Sequence, residues 1–264
     1  GMNNNQYRCN VNGPGACTAA GVNSNAGVLT VNNAVSITAQ PASASVCTGS
    51  DATFSITVSG LNPTYNWQVS TDGGVTWNNV SPAVTTASIS LTAVTAGMNN
   101  NQYRCQVAIS CNPTGVNSNS ATLTVNAAPA VTTQPANTAV CAGADATFCV
   151  TATGTGLTYQ WQVSTAGCTG PWADIPGATS SCFTATAVSA TANGNAYQCI
   201  VSGTCTPAVT TACATLTVNT AAAITAQPVN TSGCTGGNAT FSVTATGSGL
   251  TYNWQVSTDG GVTW

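Results

Sequence analysis

The chain has 264 residues and a formal charge of −3, with two arginines, five aspartates and no Lys, Glu or His. That composition removes the usual general acids and bases, the commonest metal ligand and the usual activators of a nucleophile. Arg8 and Arg104 alone cannot build a phosphate-binding track, so the sequence predicts neither an enzyme nor a nucleic-acid binder.

Apolar residues make up 43% of the chain and aromatic residues recur at regular spacing, which argues against disorder. No run approaches ~18 apolar residues, so no membrane insertion is predicted. Thirteen cysteines set the compartment. Without His a zinc site needs four Cys at paired close spacing, and no C-x-x-C occurs. The expectation is an oxidising extracellular or cell-surface location with disulfides, and no metal, cofactor or catalytic residue.

The chain opens on "GMNNNQYRC", which returns at residues 97–105. It ends on "TYNWQVSTDGGVTW", which also stands at residues 64–77. Trp67, Trp161 and Trp254 carry the same W-Q-V-S-T motif, separated by 94 and 93 residues. Leu123 and Leu216 keep that step, as do Cys47, Cys141 and Cys234, and Cys9, Cys105 and Cys199 follow within two residues. The period is about 94 residues, which is domain-sized and too long for a solenoid. It divides the chain into a C-terminal half-module (1–32), two complete modules (33–126 and 127–219) and an N-terminal half-module (220–264).

Within the second module the elements alternate with period two. "ATFSITV" places Ala52, Phe54, Ile56 and Val58 on one face, a half-buried antiparallel strand. "YNWQVS" follows with Tyr65, Trp67 and Val69 inward, then an Asp72-Gly73 hairpin turn. "SISLTAV" buries Ile89, Leu91 and Val94, with a slip after Ala93. "QYRCQV" buries Tyr103, Cys105 and Val107, and "ATLTVN" closes the module with Leu123 and Val125. About seven strands with turn signals and no helical period predict an all-β chain of end-to-end sandwich repeats. The predicted core is Trp67, Trp161, Trp254, Tyr103, Tyr197, Phe54, Phe148 and Phe241. The remaining tryptophans, Trp77, Trp172 and Trp264, follow the hairpin and are expected to cover the sheet.

A strand-C tryptophan followed by Tyr-x-Cys on strand F (Tyr7/Cys9, Tyr103/Cys105, Tyr197/Cys199) resembles the immunoglobulin fold with its tyrosine corner. More narrowly, "VCAGADATF", "GLTYQWQVST", "NNNQYRC" and "SGTCTPAVT" resemble tandem Ig-like modules of giant Bacteroidota surface proteins. These are commonly type IX secretion cargo, and some are gliding-motility adhesins. The resemblance covers the whole chain and implies an adhesive or structural surface array. The chain departs from the immunoglobulin pattern on strand B, where Ile56 or Val150 replaces the usual cysteine.

Cys149 replaces Ser55 and Cys182 replaces Ser88, on the outward faces of strands B and E, which are neighbours in an immunoglobulin sheet. Together they predict a cross-strand disulfide. Cys205 and Cys213 flank the F–G turn and are expected to pair across it, which leaves Cys168 without an obvious mate. The shared positions Cys47, Cys105, Cys111, Cys141, Cys199 and Cys205 leave alternatives open. Cys47 and Cys111 lie at opposite poles of a sandwich, roughly 25–35 Å apart for such strands and far beyond the ~7 Å limit. Cys47 with Cys105 inside a module is one alternative. Cys205 with Cys47 of the preceding module, across their junction, is another. The resemblance, by contrast, implies a Cys47–Cys111 type of pairing.

The aspartates read as turn residues: Asp72 and Asp259 in "TDGG", Asp51 and Asp145 before strand B. Isolated carboxylates do not supply the six to eight oxygens of a calcium site. The sequons at Asn79, Asn230 and Asn238 are expected by chance in so Asn- and Thr-rich a chain. By alignment, residues 1 and 264 correspond to residues 97 and 77, so the chain reads as a window on a longer array. Strand exchange between subunits is the alternative. The predicted function is a structural or adhesive extracellular filament of a bacterial surface protein. Its partners are neighbouring copies or the continuation of the same chain, and surface glycans or a substratum. A glycan-binding array, or an accessory repeat region of a larger secreted enzyme, stand beside it.

Overall fold

The computed structural model describes residues 2–14, 21–31, 34–110 and 112–264; the disulfide candidate Cys111 lies outside them. Regular structure among the described residues is β-strand with three short 3₁₀ turns. The first segment carries β1 (Gln6–Tyr7), β2 (Asn10–Val11), β3 (Val22–Asn23) and β4 (Gly27–Val28). The second module comprises β5 (Ser36–Ala39), β6 (Ala44–Cys47), β7 (Ala52–Ser55), β8 (Thr57–Ser59), β9 (Thr64–Ser70), β10 (Asn78–Asn79), β11 (Ser88–Leu91), β12 (Gln102–Ile109), β13 (Asn112–Asn117) and β14 (Ala121–Asn126). The third repeats it as β15 (Ala130–Thr133), β16 (Thr138–Cys141), β17 (Ala146–Cys149), β18 (Thr151–Thr153), β19 (Thr158–Ser164), β20 (Ala173–Asp174), β21 (Cys182–Ala185), β22 (Ala196–Ser202), β23 (Val209–Thr210) and β24 (Ala214–Asn219). The last segment forms only β25 (Ala223–Ala226) and β26 (Thr244–Thr246). Residues 1–126 and 127–264 are separate compact units.

Each complete module is a two-sheet sandwich of immunoglobulin type. One sheet of the second module runs β10-β9-β12-β14-β6, with β13 also on β12; the other is formed by β11-β7 and β5-β8. The first strand changes sheets at Gln40-Pro41, where proline withholds the N–H that a continuous ladder would need. Beyond that break β6 runs parallel to β14, pairing Cys47 with Asn126. Side chains at the break close the gap: Gln40 Oε1 accepts from the Asn119 amide, and Ser43 Oγ from that of Thr122, at 2.8 and 3.0 Å. The same arrangement recurs at Gln134 and Asn137 of the third module.

Alternation along the strands buries one row per sheet. Trp67 and Trp161 are sealed between the sheets, each donating its indole N–H to a backbone carbonyl, Thr86 at 3.0 Å and Ser180 at 2.9 Å. A buried tryptophan needs that partner. Phe54 stacks on Tyr103 and Phe148 on Tyr197, with ring centroids 4.9 and 4.5 Å apart. Leu123, Leu216, Val107 and Val201 complete the two cores.

The slip after Ala93 has a backbone cause. Ala93 and its counterpart Ala187 are left-handed, with φ of 49° and 46°. Asp51 and Asp145 stabilise the turn by accepting the amides of Ala93 and Ala187 at 2.9 and 2.8 Å. The reversal turns Val94 and Val188 into the core, while Leu91 is half-buried.

Three expectations change. The Asp72-Gly73 pair is not a two-residue turn but the start of a loop over 71–77, because Asp72 gathers the Val75 and Thr76 amides into an Asx-type loop. The "ATFSITV" strand breaks at Ile56, whose N–H turns to the Ala87 carbonyl. Predicted core residues Phe241 and Trp254 are 53% and 56% exposed. The strands that cover their counterparts, β11, β12 and β14, have no equivalent after residue 246, so residues 251–257 form no strand. Tyr7, in the first segment, is exposed for the same lack of an opposing sheet.

Trp161→Ala should therefore destabilise its module by about 3–5 kcal/mol, read as a lower denaturant midpoint. Trp254→Ala should change stability by less than ~0.5 kcal/mol, as for an exposed site.

Candidate functional site

Two features distinguish the modules chemically: the cysteines and the outward face of the larger sheet. In the third module β17 and β21 pair so that Cys149 faces Cys182 in register, and the two form a disulfide with Cα atoms 4.1 Å apart. In the second module the same register joins Ser55 to Ser88. Cys168 bonds Cys213, Cα to Cα 5.8 Å, tying the loop after β19 to the approach to β24. This replaces the expected Cys205–Cys213 pairing and gives Cys168 its mate. Cys205 is disulfide-bonded and buried, as Cys47 is disulfide-bonded in the second module.

Cys105 and Cys199 are buried thiols, which removes the Cys47–Cys105 alternative. They lie opposite Trp67 and Trp161, and the facing strand offers Ile56 and Val150 where a second sulfur would be needed. Burial pushes the Cys105 thiol up to about 11 and raises that of Cys199 as well, so both are unreactive core residues. Cys9, Cys141 and Cys234 are exposed thiols.

The outward face of β9, β10 and β12 carries a connected polar row. Asn66 and Gln68 donate to Asn79 Oδ1 at 2.9 and 3.2 Å, and Arg104 donates to Gln68 Oε1 at 2.8 Å. The Arg104 guanidinium lies 4.2 Å over the Trp77 ring, whose N–H donates to the Gly74 carbonyl. One face of that indole is thus occupied by a cation. In the third module Gln198 donates to Gln162 and Gln162 to Asp174, at 2.7 and 2.8 Å. Trp77 and Trp172 are both half-buried.

The other four aspartates hold turns. Ser70 and Thr76 donate to Asp72, and these hydrogen bonds hold its carboxyl well below the usual range. Thr263 and Ser257 act likewise on Asp259. Among the described residues no group of three metal-ligating side chains converges. An open groove of about 730 Å³ is lined by Pro228, Phe241, Trp254 and Trp264. Phe241 and Trp254 are the counterparts of core residues Phe54 and Trp67, so the groove is lined by residues that a complete module buries.

A family model described as "Domain of unknown function (DUF8696)" matches residues 35–127 and again 130–220. The chain is 38% identical over 169 residues to Endoglucanase C of Cellulomonas fimi, a match covering 62% of this chain and 14% of the length of that relative. In fold it is similar to the I-band fragment I67-I69 from titin, at a TM-score of 0.58 and 16% identity, covering 76% of this chain and 70% of that one. An E-to-A mutated variant of the same titin domains gives 0.55 at 16% identity, with coverage of 74% and 69%.

Cys149→Ser should cost the third module roughly 2–4 kcal/mol, the contribution expected of a 33-residue loop. Unfolding of the oxidised single variants, followed by fluorescence of their tryptophans, reads this directly. For Asp72 the sign follows from the lowered pKa: its stabilisation of the loop is present above the ordinary carboxylate value and is lost only as pH falls through the lower, folded value. The Val75 and Thr76 amide shifts should therefore stay constant through pH 4 and move only in stronger acid.

Proposed function

The chain belongs to the DUF8696 family of domains of unknown function, and from that premise we propose that it is a non-catalytic structural or adhesive segment of an extracellular protein. Two consecutive copies of the same sandwich supply a repeating spacer, and their disulfides suit an oxidising exterior. The observation that carries the reading is the repetition of core without repetition of any reactive cluster. What recurs from module to module is the buried indole, the Phe–Tyr stack and the turn aspartate. What varies is the polar face, where Gln198 stands for Arg104 and Asp174 for Asn79. The resemblance to Bacteroidota surface modules adds display at the cell surface, with type IX export and neighbouring copies as partners.

A second reading has its own support. The endoglucanase relative spans far more than this chain, so these modules also fit an accessory region beside a catalytic domain. Glycan contact on the β9–β12 face would then use Trp77 and its amide row, after Arg104 swings off the ring.

Both readings are separable with the purified chain. An array should give an elongated particle in small-angle scattering, with about 35–45 Å per module, no release of sugar from cellulose and no retention on it. Retention on cellulose that Trp77→Ala abolishes would favour the accessory reading. A compact particle would remove the spacer.

A further inference from the structure

Residues 127–264 carry Asp145, Asp174 and Asp259 and no basic side chain, since both arginines lie earlier in the chain. Asp174 lies on a strand, outside the turns that the other aspartates hold. Gln162 of β19 is the Cα partner of Asp174 on β20 and of Gln198 on β22. Its neighbour Trp161 is sealed in the core, so these three side chains form one row on the outer face. Gln198 Nε2 donates to Gln162 Oε1 at 2.7 Å, and Gln162 Nε2 donates to Asp174 Oδ1 at 2.8 Å. The chain of bonds therefore has a direction. Among the described residues it leaves the Gln198 carbonyl at one end and the second Asp174 oxygen at the other as open acceptors. They are about 10 Å apart across three strands.

Trp172 stands two residues before Asp174, as Trp77 stands before Asn79. In the second module the indole is committed: its N–H bonds the Gly74 carbonyl, and Arg104 lies over its ring. In the third module Gln198 replaces Arg104 and turns to Gln162. Trp172 is half-buried, and among the described residues no cation lies over it and no acceptor takes its N–H, which reaches solvent. The ring is seated against its own loop. Gly170 has a φ of 74°, and a Cβ there would lie 3.1 Å from the indole Cδ1. The loop is fixed by the Cys168–Cys213 bond and by Thr169 Oγ1, which donates to the Ala166 carbonyl at 3.2 Å. An aromatic side chain held in place beforehand loses little further freedom on binding.

We propose that this face of the third module binds a neutral polysaccharide, with one sugar ring on Trp172 and neighbouring hydroxyls on the Asp174–Gln162–Gln198 row. The inference rests on the accessory reading and moves its contact from the second module, where Arg104 must first leave the ring, to the third, where no cation stands in the way. The chemistry of the face selects the ligand. Hydroxyls both donate and accept, as two open acceptors and one indole N–H require. The C–H face of a pyranose is apolar and stacks on an aromatic plane. An anionic chain would meet Asp174 with no cation to offset it, and a phosphate would find neither guanidinium nor ammonium. A cationic partner would be held through Asp174 and released by salt, to which a neutral sugar is indifferent.

Isothermal titration of the whole chain tests this, with hydroxyethylcellulose, galactomannan and dextran as neutral probes and polygalacturonate as the anionic one. At least one neutral polymer should bind, equally in low and high salt, and polygalacturonate should not. Trp172→Ala should weaken that binding about tenfold or more. Gln198→Arg, a change on the outer face that brings in the cation of the second module, should weaken it too, with the circular dichroism spectrum unchanged. Trp77→Ala should leave it as it is. Binding that survives both third-module substitutions, or that high salt abolishes, overturns the inference. If Trp77→Ala then removes the surviving binding, the accessory reading stands with its contact on the second module. No binding of any neutral polymer overturns the inference and removes glycan contact from both modules.

Discussion

Each module depends on closing two sheets around one indole. Trp67 or Trp161 fills the space between them, and its single donor reaches a carbonyl in the segment leading to the opposite sheet. An unpaired N–H in that position would be left buried and would cost about 1–3 kcal/mol. The requirement fixes the path of residues 84–88 and 178–182, and with it the register of β11 on β7 and β21 on β17. The Phe–Tyr stack locks the second sheet from the other side. Where the opposing strands are missing, as around Trp254, the same motif forms neither strand nor core.

With the indole in place, the cysteine that an immunoglobulin sheet would place beside it is redundant. Cys105 and Cys199 pack as small apolar groups against it, and strand B supplies Ile56 and Val150 in place of a second sulfur. Disulfides act elsewhere. In the third module they staple outward positions: one spans neighbouring strands, the other clamps a hairpin loop. Each constrains the unfolded chain more than it shapes the folded one. The second module has serines at the cross-strand site and folds on the same plan.

The low charge has a structural counterpart. Polar side chains on the larger sheet satisfy one another in short amide rows, and one of the two arginines lies across a tryptophan. Such a surface offers few ion pairs to be screened by salt. Four of the five carboxylates are placed in turns, where Asp51 and Asp145 hold left-handed alanines and Asp72 organises a loop. The Asp51 and Asp145 turn repeats with the period, whereas Ala166 stands at the Asp72 position of the third module.

Period-two alternation and a 94-residue recurrence were sufficient to read a tandem sandwich and most of its core from the sequence, because side-chain phase along a strand depends on nothing beyond neighbours. Cys149 and Cys182 were legible for the same reason, as two outward serines changed together on adjacent strands. Cys168 and Cys213 were not, since loop positions have no phase. A signal existed in that Cys205 has a counterpart in Cys111, which leaves Cys168 and Cys213 as cysteines peculiar to the third module. The exposure of Phe241 and Trp254 does not follow from alternation alone. Their alternation is identical to that of Phe54 and Trp67, but burial needs an opposing sheet, which the structure forms around Phe54 and Trp67 and not around Phe241 and Trp254.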